Sequence, residues 1–377
     1  MRIELTEQSG LEVNRLSAAD MTPAMAAQYL AGKIRLRGFW DTLRSLYPAG
    51  DLRDRVTEAL CQPGDDPKSV ARRVRNWEQG KNAPTDREDL FRIAFGLELD
   101  EERTSVLLGM CTDYGIHYRN GRELTYAYCL RKGTSYRQAV SLYHSLPDPE
   151  RHPTRERRGM EDTRQMVSIF SDVRDDGEFS WLYESYLGAF GTLHRRAWDY
   201  FDRYFRALLS PDAGEERYSI QRAMDTYLTL HMPSGSRRRD LTLIQRMLKQ
   251  GWPNATKLKN ICARREDVPR KLLLLLYLVT ENVVDGSYDE LDEDYLSPEE
   301  LFEEHWWRVN LMLQDCGMPT LDPRNAYDWL VLYSLNSALR QDEAMGERME
   351  AVLAALFLKE TGETICTGMA MPVVWLM

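Results

Sequence analysis

The sequence predicts an all-α protein of two domains. Three observations carry that prediction. Apolar residues recur at spacings of 3 and 4, with little alternation at period 2. Long proline-free stretches rich in Leu, Arg, Glu and Ala dominate, bounded by helix start and stop residues. The chain has 377 residues, and domains run to about 150 residues. Hydrophobic residues are 43% and charged residues 29%, the balance of a globular protein rather than a disordered or collagen-like one. The longest apolar run, Leu272 to Val279, covers about 12 Å of helix, where a bilayer crossing takes about 20 residues. It reads as a helix buried on all sides, so no membrane partner is expected. The opening MRIELTEQSG has Glu4 and Glu7 and no apolar stretch, which predicts no leader peptide. Six cysteines without a CxxC pair point away from a disulfide framework and from a structural zinc site. These readings together predict a cytoplasmic, reduced protein.

The elements follow in order. The first 20 residues read as a loose arm. Thr22 and Pro23 form a cap and first-turn pair for a helix to about Gly32. A second helix runs from Phe39 to Tyr47, stopped by Pro48 and Gly50. Asp51 is expected to cap a third, Leu52 to Leu60, stopped by Gln62-Pro63-Gly64. Asp66 caps the next, with Pro67 in its first turn, and Gly80 ends it. Thr85, with Glu88 three residues on, predicts a capping box for a helix ending near Gly96. Asp100 to Met110 completes a bundle of five short helices. Glu123 to Tyr143 continues as helix, interrupted at Gly133. The proline-rich, charge-alternating LPDPERHPTRERRG at 146–159 is the best linker in the chain. Further helices are predicted over 179–209, 217–231, 240–249, 256–262, 268–282, 298–316, 325–339 and 345–358. The division is therefore an N-terminal unit over 1–145, a linker over 146–163 and a larger helical unit over 164–377, suited to regulation, assembly or partner binding.

Charge is unevenly placed. The net charge is -10, which would repel nucleic acid. Yet Lys33 to Lys81 carries eleven basic against seven acidic residues, while Glu281 to Glu304 holds eleven acidic residues and no basic one. What a partner meets is the local patch.

One segment carries a motif. In KSVARRVRNWEQGKNAP, residues 68–84, Val70, Val74 and Trp77 fall on one helical face. Arg72, Arg73, Arg75, Asn76 and Gln79 cover the rest. Arginine pairs bidentately with guanine in the major groove and asparagine with adenine, so this short helix has the chemistry of a reading helix. Trp77-Glu78-x-Gly80-Lys81-x-x-Pro84 resembles the end of the recognition helix in the phage-repressor-type (Cro/CI, XRE) helix-turn-helix family. Leu90, Ile93, Ala94 and Leu97 match that family's apolar fourth helix, and Leu99, Asp100, Leu107 and Leu108 its fifth. The likeness covers about Phe39 to Met110. Between the second and third helices the chain departs from the pattern, with a turn lengthened by Gln62 to Pro67.

The resemblance implies an all-α fold with an N-terminal five-helix repressor-like bundle, and a DNA-binding transcriptional regulator. Arg72, Arg73 and Asn76 would meet base edges, while Lys68, Ser69, Arg75 and Lys81 would complete the contacts, the lysines and Arg75 on phosphates. So small a bundle implies a homodimer on two half-sites, with a possible protein partner for the C-terminal unit. Two other readings stand beside it. The arginines could form a solvated face paired with Asp65, Asp66 and Glu78, or the bundle could serve protein contacts without DNA.

Nothing in the sequence predicts catalysis or a cofactor. The six histidines show no HExxH or HxxxH pair, so no metal ligands are assigned. His117, in GIHYRNGRE with Tyr118, Arg119 and Glu123, reads as part of a structural turn. Cys316 and His305 lie about three helical turns apart, too far for a dyad. The acidic stretch YDELDEDYLSPEELFEEH reads as a solvated charge run. The tail from Met369 to Met377, with eight apolar residues of nine, is expected to dock on the C-terminal unit or on a symmetry partner.

Overall fold

A computed structural model describes residues 7–16, 21–149, 163–191, 193–210, 217–233, 241–280, 297–336 and 344–357. Among these residues the protein is all-helical, with nineteen α-helices and no strand. None is long and apolar enough to cross a membrane. The acidic run up to 296, most of the proline-rich linker and the apolar tail lie outside the described residues.

The first nine helices are α1 (Glu7–Leu16), α2 (Pro23–Gly32), α3 (Phe39–Leu46), α4 (Leu52–Leu60), α5 (Pro67–Glu78), α6 (Arg87–Gly96), α7 (Glu101–Cys111), α8 (Gly121–Lys132) and α9 (Tyr136–Ser145). Their boundaries follow local chemistry. Thr22, Asp66, Asp100, Asn120 and Ser135 each accept first-turn backbone N–H groups, satisfying donors that would otherwise be orphaned. Gly133 ends α8 in the left-handed region at φ +68°. Two expected caps are made differently. Asp51 makes no cap bond and instead accepts the Tyr47 hydroxyl at 3.0 Å. Asp86, not Thr85, caps α6. The Glu88 carboxylate is drawn away from that cap by hydroxyls of Tyr126 and Tyr136 and by Arg122.

The later helices are α10 (Thr163–Ser171), α11 (Asp176–Ser185), α12 (Arg195–Leu209), α13 (Ile220–Ala223), α14 (Leu243–Lys249), α15 (Ala255–Cys262), α16 (Arg270–Thr280), α17 (Pro298–Asp315), α18 (Ala326–Leu335) and α19 (Met345–Phe357). The single helix expected over 179–209 is thus two, separated by a short 3-10 turn at Leu187–Ala189. Of the helix expected from 217, only four residues are α-helical before one π turn at Met224–Leu228.

Two apolar cores organise these elements, and they divide the chain differently from composition. The first joins α3–α9 to α10 and α11, with Leu43, Val56, Val74, Leu90, Leu107, Phe170 and Phe179 inside. The second joins α12–α19 to α2, with Leu30, Phe201, Leu273, Val309, Trp329 and Met349 inside. The proline-rich stretch therefore interrupts the first unit rather than ending it: Phe179 stacks on Tyr128 at 4.3 Å. In return α2 leaves the N-terminal bundle to pack on α19. The units meet through the Arg37–Asp322 ion pair at 2.9 Å and the Tyr114 hydroxyl, which donates to the Val268 carbonyl at 2.5 Å. Within the first unit α4 and α6 cross tightly, because a Cβ on Gly96 would stand 2.3 Å from that of Ala59.

Candidate functional site

Helix α5 presents the cationic surface. At about 100° per residue, Val70, Val74 and Trp77 share one face, and all three are buried. The indole of Trp77 meets Phe39 edge-on at 5.6 Å, anchoring α5 to α3 through an aromatic contact. The same rotation sets Lys68, Arg72 and Arg75 on the opposite side, where each is exposed. Lys81, just past the helix, is exposed as well. Gly80 closes the end at φ +65°, with the Lys81 N–H donating to the Asn76 carbonyl at 2.9 Å. That is the left-handed closure that the glycine predicts.

The lengthened turn before α5 is an ordered one. The Asp65 N–H donates to the Gln62 carbonyl at 3.0 Å across Pro63 and Gly64, the latter at φ +96°. This is the type II arrangement of a Pro-Gly pair. The acidic residues around α5 have other partners. Asp65 accepts the Gln62 N–H at 2.9 Å, and Asp66 takes the Lys68 and Ser69 N–H groups at 3.2 Å each. Glu78 pairs with Arg53. Among the described residues, no ion pair engages Lys68, Arg72, Arg75 or Lys81.

Arg73 is placed differently from its neighbours. Its guanidinium lies 5.2 Å from the Trp77 ring centre and 3.2 Å from the Asp89 carboxylate. Burial pushes the Asp89 carboxyl up, and Arg73 and Arg92 oppose that by favouring its charge. Arg73 therefore lies at the border of the buried face, paired with Asp89 and with its side chain 42% exposed. Asn76 is half-buried at the flank, and Ser69 is exposed at the start of the helix.

The fold also assembles a group that sequence spacing does not show. His117, in the loop between α7 and α8, meets His194 at the start of α12 and Asp267 just before α16. Their ligand-bearing atoms all lie within 4.8 Å of one another. Asp267 Oδ2 stands 3.2 Å from His194 Nδ1 and 3.7 Å from His117 Nε2, while its Oδ1 accepts the His194 N–H at 2.7 Å. The Tyr114 ring stacks flat on His194 at 4.2 Å. Burial pushes the His194 imidazole below its ordinary range, and the neighbouring His117 and Arg119 add to that. Burial alone would raise the Asp267 carboxyl. The bonds from His117 and His194 outweigh it and hold the group well below the carboxylate range. Asp267 lies 73 and 150 positions along the chain from its partners, so no local pattern could have revealed the cluster.

Cys316 and His305 occupy separate structural positions. Cys316 is buried at the end of α17, and His305 is held by the Tyr277 hydroxyl at 2.8 Å inside the second core.

Comparison with known proteins returns no matching family model, no matching curated protein and no matching solved structure.

Proposed function

We propose that this protein binds double-stranded DNA and regulates transcription, with α5 entering the major groove. One observation carries the reading: a rigid helix, fixed by Val70, Val74 and Trp77, exposes Lys68, Arg72 and Arg75 while the nearby carboxylates are bonded elsewhere. Removing counterions from phosphate is the main electrostatic gain in such binding, and a cation already paired within the chain offers less of it. Arg72 and Asn76 are the base-edge candidates, and Lys68, Arg75 and Lys81 the phosphate contacts, with Ser69 near the helix start. Arg73 moves from reading to support, since it braces Trp77 and Asp89. A bundle of this size covers little DNA, so the protein acts as a homodimer on two half-sites in the cytoplasm.

A second reading is favoured by a separate observation. Trp181 on α11 and Trp307 on α17 are 66% and 51% exposed, which suits a protein partner better than water. On this reading the chain is a helical interaction protein whose bundle does not touch DNA.

Selection from a randomised duplex pool separates the two. The DNA reading expects an enriched sequence and a relaxed preference at one position in Arg72→Ala, with a loss of about 1–3 kcal/mol. Enrichment of no sequence, together with equal binding by wild type and Arg72→Ala, would contradict base reading by α5.

A further inference from the structure

We propose that His117, His194 and Asp267 form a binding site for one divalent transition-metal ion of the zinc class, set at the seam between the two units. The donors are His117 Nε2, His194 Nδ1 and Asp267 Oδ2. Bonds of about 2.0–2.2 Å to such an ion give donor–donor edges of about 3.3–3.6 Å in a tetrahedron. The two edges at Asp267, 3.2 and 3.7 Å, bracket that range.

The donors are oriented in advance. The His194 N–H holds Asp267 Oδ1 at 2.7 Å, which leaves Oδ2 as the ligating oxygen. Tyr114 fixes the His194 ring by stacking at an interplanar angle of 2°, and its hydroxyl is tied to the Val268 carbonyl next to Asp267. The His117 N–H is anchored by Glu123 at 2.7 Å, and that carboxylate is itself clamped by Arg87 at 2.6 Å. A second observation concerns the other ring nitrogen. His117 Nδ1 is buried without a hydrogen-bond partner among the described residues. The ring therefore makes its polar contacts on the Nε2 side, where the other two donors stand.

Donor chemistry selects the ion class. Two imidazole nitrogens and one carboxylate suit zinc, cobalt or nickel, whereas calcium and magnesium require mostly oxygen. The side chains of His117 and Asp267 remain 23% and 25% exposed. That leaves an entry path and room for water as fourth ligand. Arg119, buried on the His117 loop, adds positive charge near His194. Because His117 belongs to the first unit and Asp267 to the second, the ion would join them. The proposal stands apart from the DNA reading, whose residues it does not use.

The test uses the full chain, freed of metal by a chelator and titrated with Co2+ and Zn2+. Wild type should bind about one equivalent, and Co2+ should give the intense visible bands of four-coordinate geometry. His117→Gln and Asp267→Asn should each weaken binding by at least about tenfold, the loss that even outer-shell changes produce. His231→Ala, at an exposed histidine paired with Glu350, should leave binding unchanged. Should a ligand variant fail to fold, hydrogen exchange on wild type locates the ion. Zinc should slow exchange at 114–120, 193–197 and 264–270. Absence of four-coordinate Co2+ bands, or protection by zinc confined to other segments, would overturn the proposal. So would full binding in both ligand variants.

Discussion

Helices α5 and α18 have similar lengths and opposite surroundings. Of the twelve residues of α5, three are buried; of the ten of α18, all ten are. Helix α5 faces the core with one stripe and water with the rest, and its exposed cations Lys68, Arg72 and Arg75 form no ion pair among the described residues. Helices α16 and α18 are largely enclosed, so the charges at their ends are neutralised within the protein. Arg270 shows the consequence. It grips Asp328 through two bonds of 2.6 and 2.9 Å and also donates to the Pro319 and Thr320 carbonyls. An amphipathic helix thus leaves surface for function, whereas an enclosed helix spends its polar groups on cohesion.

Four substitutions probe the two helices and their surroundings. The largest effect is expected from Arg270→Met, which strands the Asp328 carboxylate in the second core. A loss of about 3–5 kcal/mol in a urea melt is expected, and a loss under about 1 kcal/mol would show the pair to be solvated. Trp77→Ala removes the spine of α5. It should cost about 3–4 kcal/mol, and a neutral result would mean that α5 is not packed through that face.

The third concerns His305, whose imidazole burial pushes down to about 4, with Arg308 and Arg348 adding repulsion. Unfolded histidine takes its proton near 6.5. The folded protein therefore keeps this stability above about pH 6.5 and loses it as pH falls toward 4, by up to about 3 kcal/mol. His305→Gln should flatten that part of the stability–pH curve, and an unchanged slope would place the acid sensitivity elsewhere.

The smallest effect is expected at Arg73. Arg73→Ala should cost about 1 kcal/mol of stability, as a partly exposed pair does, and should change DNA preference less than Arg72→Ala. A larger loss of preference in Arg73→Ala would return that side chain to the base edge.

What was legible in the sequence follows the same contrast. Caps and stops at Thr22, Asp66, Asp100, Gly80 and Gly133 act within one turn, so the bounds of α2, α5, α7 and α8 could be read nearly to the residue. The spine of α5 was legible because periodicity encodes a face. In sequence, Arg73 groups with the outer face, because its Asp89 partner lies on another helix. The assignment of α2 to the second core, and of α10 and α11 to the first, was not legible. An amphipathic stripe says that a helix docks, not where. Glu88 illustrates the limit for caps: the Tyr126 and Tyr136 hydroxyls, about 40 residues away or more, took the carboxylate that local chemistry gave to a capping box. The histidine cluster was hidden for the same reason, since its donors come from three distant loops.

The proposed DNA binding rests on the exposed cations of α5 and of Lys81 just past it. The direct measurement is fluorescence anisotropy on a mixed-sequence duplex from about 50 to 200 mM salt, for wild type and for Lys68→Ala, Arg75→Ala and Lys81→Ala. Micromolar or tighter binding is expected at low salt, with the slope of log K against log salt reduced by about one unit in each variant. Absence of wild-type binding at about 50 mM salt and micromolar protein, or a slope that none of the three variants changes, would contradict it.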